Sequence, residues 1–175
     1  SGKNVCIEEY NGKNEILFIK SKYKYGEKSY KTNLEDFQVG IGDSTVKFLI
    51  LGSGITKVDD AIFNSCDVKG VYFPKSMKKI YDNTVGFLSP EDGEKIHIYY
   101  EGTKDEWKSI FKKYERQTVK EAWNSSDRGE EKGAAVGKSL ADKLNDWMGA
   151  GYHKEDFKHH YSVSMDDLEK VLRNF

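Results

Sequence analysis

The chain carries one apolar pattern twice, first in Val46-Lys47-Phe48-Leu49-Ile50-Leu51 and again in Val68-Lys69-Gly70-Val71-Tyr72-Phe73. In both stretches the first, fourth and sixth residues are apolar, and the second copy starts 22 residues after the first. The segments that follow keep this spacing, because Ile55, Val58 and Phe63 are matched by Met77, Ile80 and Val85. The repeat predicts that the two stretches form equivalent strands in neighbouring structural units.

A third, partial copy begins at Lys95, 27 residues after the start of the second. The additional residues fall at Pro90-Glu91-Asp92-Gly93, a sequence typical of a turn. This spacing and period are those of a leucine-rich repeat, in which short strands bury alternate residues in a core that stacked repeats share. We therefore predict parallel repeat strands that direct one set of residues to the core: Leu49, Val71 and Ile98.

Three stretches resemble the BspA-like leucine-rich-repeat family. The closest match is Ile98-Tyr99-Tyr100-Glu101-Gly102-Thr103-Lys104-Asp105-Glu106-Trp107, which is similar to the closing segment V-Y-Y-x-G-T-x-x-E-W of such arrays. Ala61-Ile62-Phe63-Asn64-Ser65-Cys66 is similar to the A-F-x-x-C element with one residue inserted, and residues 24–31 are similar to the lead-in Y-x-G-K-x-Y-K. The resemblance covers residues 20–110, and residues 82–87 depart from it. It implies a bacterial cell-surface or secreted protein of adhesion, with no catalytic residues.

Residues 1–33 are predicted to form an antiparallel meander that caps the open edge of the repeats. Its first hairpin would join strands at residues 5–10 and 15–25 through Asn11-Gly12, which is the strongest short hairpin signal. A second turn is predicted at Tyr25-Gly26-Glu27-Lys28.

The repeats are predicted to span residues 34–102 and to be closed by a helix over residues 103–123. Thr103 and Glu106 have the spacing of a capping box, which starts a helix by satisfying its first free amide groups. Trp107 and the apolar residues three, four and seven positions later would then share one helical face.

Residues 124–175 are predicted to be a helical tail or a small helical module, separated by the polar residues 124–129 from a capped repeat domain at residues 1–123. A short helix is expected at residues 155–160, and a last helix capped by Ser164 follows it. The fold class predicted for the whole chain is α+β: a short leucine-rich-repeat solenoid with an N-terminal β-hairpin cap and C-terminal helices.

The composition excludes several classes of protein. A net charge of −1 gives no overall field that would attract nucleic acid or an anionic membrane. No apolar run is long enough to span a membrane. The sequence shows no signal peptide, so the expected extracellular or cell-surface location comes from the family resemblance alone.

The two cysteines, Cys6 and Cys66, allow one disulfide, but a buried free thiol at Cys66 is favoured because the family places a small thiol there.

Catalytic and cofactor motifs are incomplete. Residues 133–139 imitate a phosphate-binding loop, yet they have three residues between the glycines where four are needed. His153, His159 and His160 lack the helical pair spacing and the cysteine that a zinc site would use. No cysteine or serine is paired with histidine in a supporting motif. We predict no enzyme activity, no cofactor and no bound metal.

The predicted function is that of a non-catalytic module that binds a protein partner from the host, the matrix or the bacterial surface. The strand residues that alternate with the core positions would point outward and contact the partner. These ligand-binding candidates are Phe48, Ile50, Tyr72 and Tyr99, together with His97 as an exposed strand histidine.

Two alternatives involve nucleic acid or regulation. The C-terminal helices could act as a regulatory or nucleic-acid-binding module, but residues 117–175 hold 9 Lys plus Arg against 11 Asp plus Glu, which makes nucleic acid unlikely. Lys20, Lys22 and Lys24 alternate with Ser21, Tyr23 and Tyr25, and lysines interleaved with aromatic residues could bind single-stranded nucleic acid. The same alternation is produced by a hairpin with one packed and one solvated face, and this second interpretation is favoured.

Overall fold

The computed structural model describes residues 4–6, 9–10, 12–34, 38–39, 45–58, 68–80, 94–110 and 157–173. Within these ranges the chain is α+β, with a mostly parallel sheet and few helices. The helices are α1, at residues 104–110, and α2 (Met165–Leu172). The strands are β1 (Asn4–Cys6), β2 (Glu9–Tyr10), β3 (Ile16–Ile19), β4 (Lys22–Tyr25), β5 (Lys28–Asn33), β6 (Gln38–Val39), β7 (Phe48–Leu51), β8 (Lys57–Val58), β9 (Gly70–Phe73), β10 (Lys79–Ile80), β11 (Ile96–Tyr100) and β12 (Phe157–Tyr161).

Five of these strands form the main sheet in the order β12-β11-β9-β7-β3, and every neighbouring pair is parallel. The strands therefore lie side by side in the order in which the chain reaches them. Leu49 pairs with Val71, and Val71 pairs with Ile98, which is the register that the repeat spacing predicts. A second parallel ladder joins β8 to β10 through Val58 and Ile80, again 22 residues apart.

The predicted N-terminal meander is wrong in its first hairpin and correct in its second turn. The strands on either side of Asn11-Gly12 do not pair with each other, because β2 pairs with β6 and β3 pairs with β7, both in parallel. The single strand predicted at residues 15–25 is divided into β3 and β4 by a bend at Ser21. β3 directs Leu17 and Ile19 toward the core. The second predicted turn is confirmed: β4 and β5 form an antiparallel hairpin, and Gly26 adopts a φ of 59° at its tip.

The core lies against one side of the main sheet. α1 begins at the predicted capping box, in which the Thr103 hydroxyl accepts from the Glu106 amide at 3.2 Å and the Glu106 carboxylate accepts from the Thr103 amide at 2.8 Å. The Trp107 ring then packs 5.4 Å from the ring of Phe73 and 5.1 Å from that of Tyr100. Burial of each large apolar side chain of this kind contributes about 1.5–3 kcal/mol to stability.

The C-terminal segment contains a strand where a short helix was predicted. Residues 157–161 form strand β12, where a short helix was expected at residues 155–160, and the strand pairs along the whole of β11. The two-residue period of a strand directs Phe157 and Tyr161 to the core side. Pairing with β12 also covers the edge of β11, which would otherwise be open. The last helix is confirmed, with the Ser164 hydroxyl accepting from the Asp167 amide at 3.2 Å.

A tight turn carries α2 across the sheet. Ser162 has a φ of 56°, donates its amide hydrogen to the carbonyl oxygen of Gly102 at 2.8 Å, and directs the chain away from the core side. The boundary expected at residues 124–129 and the helix expected up to residue 123 lie outside the described residues, apart from the start of α1.

Candidate binding surface

The side of the main sheet that faces away from the core, called the outer face below, consists of two rows of paired residues. In both rows each residue lies beside its partner on the next strand, from β3 at one end to β12 at the other. The first row is Ile16, Phe48, Gly70, His97 and Lys158, and the second is Phe18, Ile50, Tyr72, Tyr99 and His160.

The middle of the outer face is covered by α2. Phe48, Ile50, Tyr72 and Tyr99 are each 5% exposed or less, and they form a cluster with Leu168, which is completely buried. Their predicted direction is confirmed, since they point away from the core. Their predicted exposure is wrong, because the C-terminal segment folds back over them. Whether they contact a ligand stays a prediction that would require α2 to move.

This covered cluster is closely packed. Gly70 is needed beneath it, because a Cβ atom at this position would lie 2.3 Å from the Phe48 ring. The Phe48 ring lies 5.6 Å from the ring of Tyr99, and the Tyr72 hydroxyl donates to the carbonyl oxygen of Val163 at 3.3 Å. Burial, followed by the nearby Glu101 carboxylate, raises the pKa of Tyr72 to about 12. The tyrosine is therefore held as a neutral hydrogen-bond donor.

A histidine pair lies at the β12 end of the outer face. Nδ1 of His97 is 3.2 Å from Nε2 of His160 and 3.2 Å from the Tyr99 hydroxyl, and the His160 ring stacks on that of Tyr99 at 4.4 Å. Burial first, and then Lys158, lowers the pKa of His97. Burial also lowers the pKa of His160, with further contributions from His97 and Lys158. Both imidazoles thus favour the neutral state.

The expectation that His97 is a lone exposed histidine is wrong, because it is half-buried against His160. The predicted helix at residues 155–160 would not bring His160 beside His97, so the pair was not expected. The period-two alternation of Phe157, His159 and Tyr161 is the signal that would have indicated a strand.

The β3 end of the outer face remains open. Ile16 is 42% exposed and Phe18 is 44% exposed, although both sit on a strand whose alternate residues, Leu17 and Ile19, pack against the core. Sequence reasoning missed these two residues because it placed residues 15–25 in one hairpin strand. Four consecutive apolar residues, 16–19, are the signal of a strand with apolar residues on both faces.

A separate exposed surface lies on the β4–β5 hairpin. Lys22, Lys24, Lys28 and Lys31 are all exposed, and Tyr25 at the tip is 82% exposed. Lys22 lies directly opposite Lys31, and Tyr23 lies opposite Tyr30. The lysine pair and the tyrosine pair therefore occupy opposite faces of the hairpin.

Other types of site receive no support from the part of the chain that the structure describes. Within it, no three or more His, Cys, Asp or Glu side chains form a group that could hold a metal ion. No helix in the same ranges is long and apolar enough to cross a membrane. Cys66, with its predicted free thiol, lies outside the described residues. No family model, curated protein or solved structure matches the chain, so its function is inferred from the surfaces described above.

Proposed function

We propose that this protein is a non-catalytic module that binds a protein partner through the open end of its outer face. The observation that carries the proposal is the exposure of Ile16 and Phe18 beside the buried aromatic cluster. Exposed apolar residues next to each other on one face are typical of interaction sites. Each side chain can act as an anchor, because its partly buried setting limits the conformational freedom that binding would remove.

We further propose that the fold is a short leucine-rich-repeat solenoid of the BspA-like type. Two parallel ladders with the same 22-residue spacing, Leu49 with Val71 and Val58 with Ile80, support it. The capping box that begins at Thr103 and the inserted Trp107 support it as well, since they lie in the segment that resembles the end of such arrays. The family resemblance further suggests a bacterial cell-surface or secreted protein whose partner belongs to the host, the matrix or the bacterial surface.

The test is a binding assay with the double variant Ile16→Ser/Phe18→Ser against immobilised fibronectin, fibrinogen and collagen. We expect the unmodified protein to bind at least one of these matrix proteins. The double variant should bind about ten-fold or more weakly, because each anchor that is lost from an interface costs roughly 1 kcal/mol or more.

The matched control is Tyr25→Ser, which removes an exposed aromatic side chain from the separate β4–β5 hairpin. It should keep full affinity. Equal loss of binding in the control and the double variant would contradict the proposed surface. Failure of the unmodified, folded protein to bind any of the three matrix proteins would contradict matrix binding itself.

A second candidate function is regulatory, and the position of α2 favours it. The helix buries Leu168 against aromatic residues that would otherwise be exposed, so the C-terminal segment can control access to the middle of the outer face. The same helix exposes Asp166, Asp167 and Glu169, a charge pattern that disfavours nucleic acid. If the regulatory role holds, a chain that ends at residue 161 should bind the matrix partner more tightly than the full chain; unchanged binding would count against it.

A further inference from the structure

The β4–β5 hairpin concentrates positive charge on a protein whose net charge is −1. Between residues 20 and 31 there are five lysines and one acidic residue, Glu27. All five lysines are exposed, and within the described ranges no ion pair involves Lys22, Lys24 or Lys31. The charge is therefore available to a partner in solution.

The register of the hairpin places lysines opposite each other, which reduces the stability of the fold. Lys22 faces Lys31 directly, and Lys24 follows Lys22 on the same face of β4. Like charges opposite each other in a sheet are destabilising, because their side chains lie only about 5 Å apart at Cβ. Lys24 is about 6.7 Å farther along the strand, within a Debye length of about 10 Å at moderate salt, so the three ammonium groups act together.

Protection of a sheet edge explains only part of the pattern. β4 is the edge strand of the sheet β1-β5-β4, and lysines on an edge strand discourage pairing with other chains. Lys31 is on β5, which has neighbours on both sides and needs no such protection. Its position opposite Lys22 costs stability without protecting an edge, which indicates a role in binding.

The opposite face of the hairpin determines which polyanion fits. Tyr23 and Tyr30 are half-buried on that face, away from the three lysines. Single-stranded nucleic acid gains much of its affinity by stacking bases on aromatic rings beside the positive charges, and the lysine face has no such ring. The hairpin also contains no arginine, so an oxyanion bound there would contact the point charges of ammonium groups instead of the planar, bidentate guanidinium. Lysines alone suit a flexible chain of oxyanions that is held by charge.

We propose that Lys22, Lys24 and Lys31 form a binding site for a linear sulfated polysaccharide. The ammonium groups pair with successive sulfate groups and release the counterions of the polymer, so affinity falls as salt rises. This site lies on a different sheet from Ile16 and Phe18, and it goes beyond the proposed protein-binding function. The two sites can therefore be tested separately.

The experiment measures binding of the full chain to heparin by titration calorimetry over a series of salt concentrations. We compare the unmodified protein with the triple variant Lys22→Gln/Lys24→Gln/Lys31→Gln. The slope of log affinity against log salt should fall by about three in the triple variant, because each lysine that contacts an anionic group contributes roughly one to the slope. Affinity near physiological salt should fall at least ten-fold.

The control variant, Lys78→Gln/Lys104→Gln/Lys108→Gln, removes the same charge from exposed lysines elsewhere on the protein. It should keep most of the slope and affinity. An equal loss in both variants would overturn the proposal in favour of general charge attraction, and so would absence of heparin binding by the unmodified protein. Tighter binding to oligo-dT than to heparin would overturn the choice of polyanion.

A stability measurement separates this role from a structural one. Lys31→Glu creates an opposite-charge pair with Lys22, so it should stabilise the fold by about 0.2–1 kcal/mol while heparin binding becomes weaker. Loss of stability in this variant would mean that Lys31 is needed by the fold, and the binding role would be rejected.

Discussion

The histidine pair shows how a few atoms can make the protein sensitive to pH. Nδ1 of His97 and Nε2 of His160 are 3.2 Å apart. Lys158 lies directly opposite His97 on β12 and adds a positive charge nearby. Two protonated imidazoles at this distance would repel each other. Because the folded state lowers the pKa of both groups below 6.5, it binds fewer protons than the state in which β12 has separated.

The consequence is a loss of stability in acid. Attachment of β12 to β11 should be strongest above pH 6.5 and weaken as the pH falls below that value, since the separated state then takes up protons more readily. The measurement is the urea midpoint of unfolding at pH 7.5 and at pH 5.5. His97→Gln/His160→Gln should show a smaller difference between the two midpoints than the unmodified protein. An identical difference in both proteins would rule out the pair as the source.

The packing of α2 on the outer face depends mainly on one residue. Leu168 is fully buried between Phe48, Ile50, Tyr72 and Tyr99, whereas the other apolar residues of the helix are only half-buried. Leu168→Ala should destabilise the protein by about 2–5 kcal/mol, because it removes buried methyl groups and leaves a cavity under the helix.

The variant should release α2 before it unfolds the sheet. Amide hydrogen exchange should accelerate in α2 and much less in β7 and β9, since their core-side residues Leu49 and Val71 keep their contacts. Lys170→Ala is the control, because its side chain is exposed and its ion pair with Asp167 lies at the surface, where such pairs contribute little to stability. Uniform acceleration over all strands would show that α2 and the sheet form a single cooperative unit.

Strand register and side-chain direction in the main sheet follow from the sequence pattern, whereas burial of the outer face does not. The register of Leu49, Val71 and Ile98 was predictable because each of them holds the same apolar position in its copy of the repeat, and this determines which strands become equivalent. The outward direction of Tyr72 and Tyr99 followed from the two-residue period of a strand. Their burial did not follow, because it depends on where a segment far along the chain packs. The pairing of β12 with β11 has no local signal, since the strands are separated by 56 residues.

That long connection leads to a prediction about the intact fold. A protease site introduced between Ser125 and Ser126 would cut the chain between α1 and β12. The two pieces should remain together in gel filtration, because five residue pairs join β12 to β11 and α2 covers the outer face. The same cut in the Leu168→Ala variant should release the C-terminal piece more readily, since the main apolar anchor is shortened. Immediate separation of the pieces from the otherwise unmodified protein would show that attachment depends on the covalent connection.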